Sequence, residues 1–222
     1  MPKNSSNIDV TLPSIQEQID CFLKKISDKY IETMKNNTVF AGPIELKAIS
    51  KILSSKIVVH YYILNPNAPS FEYAENDIHI LFKDKNTYQA ILKTLNGSYK
   101  LSKTKINANC LFTACIEADI AANIMVDVRY SELYESVGSN NLRQDVCYTI
   151  SKDPDEMANI KRLFKSLVLA KDKEAIKYYK DKLPDMCLRK QAISLAKQRL
   201  AAENLDQNIN CCNSLYKRCT IM

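Results

Sequence analysis

Cys110 is the residue whose type and setting most readily suggest chemistry. Polar Asn107 and Asn109 precede it and suit a helix cap, while Leu111, Ala114, Cys115, Ala118 and Ala122 follow at helical spacing. That layout puts a thiol in the first turn of a helix. Unpaired backbone N–H groups and the positive end of the helix dipole favour a thiolate there, and the same groups can hold an oxyanion beside the sulfur. The alternative is a cysteine buried in a core helix, the commoner fate of a free thiol. A thiol nucleophile also needs a base, ordinarily histidine. The chain has two, His60 and His79, both in stretches that read as strands, where a histidine is ordinarily a satisfied sheet residue.

The elements that must position these groups follow from periodicity. Pro13 opens a helix with Ile15, Ile19, Phe22, Leu23, Ile26 and Tyr30 on one face, and Gly42-Pro43 opens a second with Leu46, Ile49 and Leu53 inward. Lys56–Leu64 reads as a buried strand, Asn65–Ser70 as a loop, and Asp77–Phe82 with Thr87–Leu92 as an antiparallel pair around Lys83–Asn86. Helix resumes from Asn109 to Met125, Gly138–Asn140 is a loop, and a helix covers Leu142–Ile150. From Pro154 the pattern is helical to about Leu205, with breaks near Lys171 and at Pro184. The expected class is α+β with a helical C-terminal third. The expected organisation is a disordered 1–11, a folded domain over 12–205 and a flexible tail over 206–222.

Composition narrows the functional classes. A chain of 222 residues is long enough to bury a sizeable core. The net charge of +6 reads as modest and spread out, and lysine-rich stretches such as Lys161–Lys182 interleave with acids, so solvated helix faces are expected rather than nucleic-acid binding. Weak attraction to an anionic membrane is compatible with this balance. Residues Met1–Val10 hold no apolar segment of a secretory signal, and no run is apolar enough to span a bilayer. The eight cysteines then read as reduced thiols of a cytosol rather than a disulfide framework. No C-x-x-C pair occurs, so no metal site is expected, and no cofactor is implied.

Four segments resemble one known family. Asn109-Cys110-Leu111-Phe112 resembles the end of the D-G-N-C-L-F nucleophile motif of the OTU (ovarian-tumour) cysteine proteases, and Leu142-Arg143-Gln144-Asp145-Val146 resembles the L-R-x-x-V helix that follows it. Tyr30–Met34 with Phe40–Ile49 resembles the family's Y-x-x-M…W-G-G-x-I-E-L-x-A-L segment, and Ile78–Phe82 with Asn86-Thr87-Tyr88 resembles its I-x-L-x-(Y/F)…N-H-Y strand pair. The resemblance implies a deubiquitinase fold with Cys110 as nucleophile and ubiquitin as partner. The order is that of a circular permutation, because the histidine-type segment precedes the cysteine, and residues 94–105 would be the new joint. Permuted OTU proteins occur among effectors of intracellular bacteria, which implies action in a host cytosol.

The chain departs from the family pattern where the chemistry is most demanding. Thr87 stands where the family has its general-base histidine, and Gln89 where an Asp or Asn often orients it. A threonine hydroxyl cannot take the thiol proton near neutral pH. Asn107 and Ala108 replace the Asp and Gly of the nucleophile motif. Two outcomes are therefore expected: impaired or absent hydrolysis, or an active enzyme in which His79 substitutes as base. A separate signal lies at the other end. Cys219-Thr220-Ile221-Met222 fits C-a-a-X with a terminal Met that favours farnesylation, Lys217 and Arg218 lie just upstream, and Cys211-Cys212 are candidates for acylation. A membrane-anchored protein is expected from this tail.

Overall fold

The computed structural model describes the backbone of residues 13–61, 77–83, 87–93, 99–122, 128–131 and 133–219, with side chains to residue 204 except those of residues 128 and 134. The stretches 1–11 and Asn65–Ser70, expected to be disordered and loop, lie outside the described residues. Helices α1 (Ile15–Lys24), α2 (Ile26–Met34) and α3 (Pro43–Leu53) come first. Ser14 caps α1 in a reciprocal box with Glu17, and Pro43 occupies the first turn of α3. The single helix expected from Pro13 through Tyr30 is broken at Lys25, whose φ of −112° and ψ of 5° leave the helical region. The apolar period runs through that break without interruption, so the residue pattern does not signal it.

Four strands form one sheet in the order β1 (Lys56–His60), β2 (Asp77–Phe82), β3 (Tyr88–Lys93), β4 (Tyr99–Leu101). The pair β1–β2 is parallel; β2–β3 and β3–β4 are antiparallel. The expected pairing of β2 with β3 holds, with Ile80 opposite Ala90. Alternation sends Ile78, Ile80, Tyr88 and Ala90 into a core shared with α4 (Cys110–Ala121). The helix α4 is apolar on nearly every side and buried from Cys110 through Ile116, as a helix between a sheet and other helices must be.

The short helix α5 (Val128–Ser131) is followed by a π-helical segment over Tyr134–Gly138, which runs directly into α6 (Ser139–Lys152). A loop at Gly138–Asn140 is therefore corrected to continuous helical structure. Gly138 has a steric reason to be glycine: an added Cβ would lie 1.9 Å from the Tyr130 carbonyl oxygen. The close approach of α5 therefore requires hydrogen in place of a side chain. Helices α7 (Pro154–Val168), α8 (Lys173–Lys180) and α9 (Cys187–Cys219) complete the chain. Asp153 caps α7 and Asp172 caps α8. Phe164 of α7 meets Phe22 and Tyr30 edge-on at centroid separations of 6.0 and 6.1 Å, joining the C-terminal helices to α1 and α2. The helix expected to stop near Leu205 instead continues to Cys219. No glycine or proline interrupts Cys187–Cys219, so nothing in the chain breaks it there. Among the described residues no helix is long and apolar enough to cross a membrane.

Candidate functional site

Sheet pairing brings Cys110 to the start of β3. Strand β4 runs back along β3 with Leu101 opposite Ile91. The bonding continues one residue further, where Ser102 N–H donates to the Ala90 carbonyl at 2.9 Å and Ala90 N–H donates to Ser102 Oγ at 3.1 Å. The chain is thus heading toward Tyr88 when it leaves the sheet. Ser102 Oγ then contacts Thr104 Oγ1 at 2.5 Å, and Thr104 Oγ1 donates to Glu117 of α4 at 2.5 Å. This fastens the approach to the helix that begins at Cys110. The Tyr88 backbone N–H donates a hydrogen bond to the Cys110 sulfur, so the cysteine adjoins the Thr87-Tyr88 segment despite their order in the chain. Thr87 itself is buried, and its carbonyl accepts from Lys83 N–H at 2.9 Å.

The backbone before the cysteine is held by a buried arginine. Arg143 of α6 is fully buried and stacks over the Phe112 ring at 4.6 Å. Its Nε donates to Asn109 Oδ1 at 2.8 Å, and its terminal nitrogens donate to the carbonyls of Ala108 at 2.6 Å, Met34 at 2.9 Å and Asn36 at 3.2 Å. Asn109 Nδ2 completes the junction by donating to Asn140 at 2.7 Å. One guanidinium therefore ties α2, the Cys110 turn and α6 together through the planar fork that suits it to such work. Asn109 is the residue at the cap position of α4, but its side chain makes no cap bond because Arg143 and Asn140 occupy it. Asn107 acts instead, with its Oδ1 accepting from Asn109 N–H at 2.8 Å and its carbonyl from Cys110 N–H at 3.1 Å.

A second buried junction involves the resembling segments of α2 and α3. Tyr30 donates to Glu45 Oε1 at 2.6 Å, and Gly42 N–H donates to Glu45 Oε2 at 2.7 Å. Burial raises the carboxyl pKa of Glu45 against the lowering effect of these bonds and of nearby Arg143. Tyr30, Glu45 and Arg143 are thus structural members of the site. Of the three, only Arg143 touches the Cys110 turn, and the L-R-x-x-V segment was the signal that marked it.

The thiol is not poised as a thiolate. Burial raises the Cys110 pKa, and the hydrogen bonds from Tyr88 and Leu111 N–H together with the Arg143 charge only partly offset that. The helix-start donors anticipated around the sulfur are present, yet desolvation outweighs them. The histidines lie elsewhere. Ile78 and Ile80 face the core that contains Cys110, so strand alternation turns His79 to the other face of the sheet. There its Nδ1 lies 3.1 Å from His60 Nε2 of β1. Burial, with His60 as the next contribution, lowers the His79 pKa to about 4. The structure therefore brings Cys110 beside Asn107 and the Tyr88 backbone that follows Thr87, while strand alternation turns His79 to the opposite face of the sheet. Gln89 is tied to the edge strand, its Nε2 donating to the Ser102 carbonyl at 3.2 Å. Cys219 lies at the end of α9, as do Cys211 and Cys212 within it. Among the described residues no group of three or more metal-ligating side chains occurs.

Comparison with known proteins agrees with this assembly in part of the chain. No curated protein matches. A solved structure of an OTU deubiquitinase from Escherichia albertii bound to ubiquitin aligns over 88% of this chain and 98% of its own, at 14% identity and a TM-score of 0.42. The family model described as OTU-like cysteine protease matches residues 7–103, a segment that includes Tyr30, Glu45 and Thr87 and ends before Cys110. Residues 7–103 of this chain are thus similar to the OTU-like cysteine proteases.

Proposed function

We propose that the protein is a ubiquitin-directed member of the OTU group, circularly permuted, whose hydrolytic activity is impaired or absent. The observation that carries this reading is the separation of nucleophile and base across the sheet. The Cys110 sulfur sits beside the Tyr88 backbone, with Thr87 in the family's histidine position, while both histidines of the chain pair with each other on the opposite face. A buried thiol with a raised pKa lacks the lowered pKa of an activated cysteine nucleophile, and strand alternation turns His79 and His60 to the other face of the sheet. The permuted order is supported by β4, which lies within the expected joint and returns the chain to Tyr88. The alternative with His79 as base requires that side chain to cross to the other face of its own strand.

Recognition of ubiquitin without cleavage is consistent with a fold kept intact around Cys110. The second part of the proposal is anchoring: farnesylation of Cys219, with acyl groups on Cys211 or Cys212 or the charges of Lys217 and Arg218 converting weak attachment into stable residence at host membranes. Two measurements test the proposal. Purified protein incubated with a ubiquitin-propargyl probe should form no adduct at Cys110 while retaining measurable binding to ubiquitin; rapid adduct formation would overturn the impaired reading. In eukaryotic cells Cys219→Ser should move the protein to the soluble fraction; unchanged fractionation would overturn the anchoring.

A further inference from the structure

The chain's positive charge is not spread evenly, contrary to the first reading of its composition. Twelve of its 31 Lys and Arg residues but only four of its 25 acids fall between residues 161 and 199, a net of +8 against −2 for the remainder. This segment is the end of α7, all of α8 and the first part of α9. Ten of the twelve basic side chains are exposed; Arg189 and Arg199 are the half-buried ones. Among the described residues, Arg189 pairs with Asp185 and Arg199 with Glu203, while none of the ten exposed cations is in an ion pair. Like charges at this density in the sequence repel one another.

Three of these cations meet at the α7–α8 junction. A cleft of about 460 Å³ opens there, with Arg162, Lys165 and Lys171 around it and Leu169 and Tyr179 in its wall. Asp172 also lines it, but its carboxylate is engaged as the cap of α8, accepting from Ala175 N–H at 2.8 Å. Beside the cleft, Leu169 is 40% and Tyr178 58% exposed, two of the larger apolar side chains left on the surface. Lys182 lies over the Tyr178 ring at 5.0 Å. A basic rim with exposed leucine and tyrosine beside it is the combination that an anionic lipid interface rewards. The charges lower the energy of approach, and the two apolar side chains enter the headgroup layer. Helix α9 leads from this same layer to Cys219, so the face and the chain end lie on connected structure.

We propose that the α7–α8 face is a membrane-docking surface for anionic phospholipid, with a headgroup phosphate received between Arg162, Lys165 and Lys171. This surface acts without lipidation at Cys219, so its test is separate from that of the anchor. Unlipidated full-length protein is sedimented with phosphatidylcholine vesicles that contain or lack phosphatidylserine, at low and at high salt. Binding is expected only with phosphatidylserine and is expected to fall as salt rises. The triple variant Arg162→Glu, Lys165→Glu, Lys171→Glu should weaken it by at least about tenfold, given the usual contribution of a basic residue at such a surface. The variant Lys24→Glu, Lys25→Glu, Lys29→Glu makes the same change of net charge on exposed residues at the α1–α2 junction, and should weaken it by less than about threefold. Glutamine at Arg162, Lys165 and Lys171, with an unchanged circular dichroism spectrum, gives the same answer free of any folding defect. Equal losses in the two triple variants would reduce the effect to net charge and overturn the proposal. So would absence of binding to phosphatidylserine vesicles, or equal binding to vesicles without it.

Discussion

The two faces of the sheet hold Cys110 and the two histidines apart. One face holds a cysteine at a helix start, with backbone donors from Tyr88 and Leu111 at its sulfur and its turn clamped by Arg143. The other holds two imidazoles 3.1 Å apart with no part in that arrangement. The first face is built as precisely aimed polar contacts within a packed core. The second is a pair of weak bases, both made weaker by burial and His79 further by His60. The contrast teaches that the polar contacts around Cys110 have a structural role of their own, because Arg143, Asn109 and Glu45 also hold the fold together.

Breaking the cysteine side should have the largest effect. Arg143→Ala leaves the Asn109 side chain and the carbonyls of Ala108 and Met34 buried without their donor. Denaturant unfolding should show a loss of about 3–5 kcal/mol, the cost of removing one member of a buried charged network. Arg143→Lys should recover only part of it, because an ammonium cannot reproduce the planar fork.

A second effect on the same face should be opposite in sign. Asp119 of α4 is buried, with its Oδ1 unpartnered and its carboxyl pKa raised to about 6 by burial despite a hydrogen bond from Ser55. The folded state therefore holds a proton that the unfolded state gives up at lower pH, and stability falls as pH rises between about 4 and 6. Asp119→Asn should stabilise the protein by about 1–3 kcal/mol at pH 7.5 and by much less at pH 4, read from denaturation midpoints at the two values.

The histidine face should give the smallest effect and sharpen the contrast. A folded-state pKa lowered to about 4 at His79 makes the native protein resist protonation that the unfolded chain accepts near 6.5. Stability should then decline as pH falls through that window, and His60→Gln with His79→Gln should flatten the decline by about 1 kcal/mol or more. The same pair of substitutions should leave alkylation of Cys110 unchanged, as measured by the rate of iodoacetamide labelling.

Much of this arrangement was legible in the residues. The start of α4 at Cys110, the β2–β3 pair and the α3 opening at Gly42-Pro43 follow from alternation, helical spacing and caps. The approach of Cys110 to Tyr88 was expected from the resembling segments, and its mechanism is the short strand β4, three residues too few for an alternation pattern to reveal. The burial of the thiol was not legible, because desolvation depends on what packs around α4 rather than on α4 itself. Asn109 read as a cap, which is correct for its position and wrong for its side chain, since the competing partner Arg143 is 34 residues away. The break at Lys25 and the π-helical segment at Tyr134–Gly138 arise from tertiary packing that overrides local periodicity. The continuation of α9 to Cys219 was missed because polar composition was read as flexibility, although no breaker residue supports an end at Leu205.

Hydrolysis of di-ubiquitin by the wild type, Cys110→Ala, Thr87→His and the double variant Thr87→His with Cys110→Ala tests the separation of nucleophile and base most directly. The account predicts that wild type and Cys110→Ala release monoubiquitin at the same background rate. Thr87→His should exceed them by at least about tenfold, since a positioned base commonly contributes two orders of magnitude or more, and Cys110→Ala should abolish the gain. Wild-type turnover far above that of Cys110→Ala would show that Cys110 already has its base, and would contradict the account.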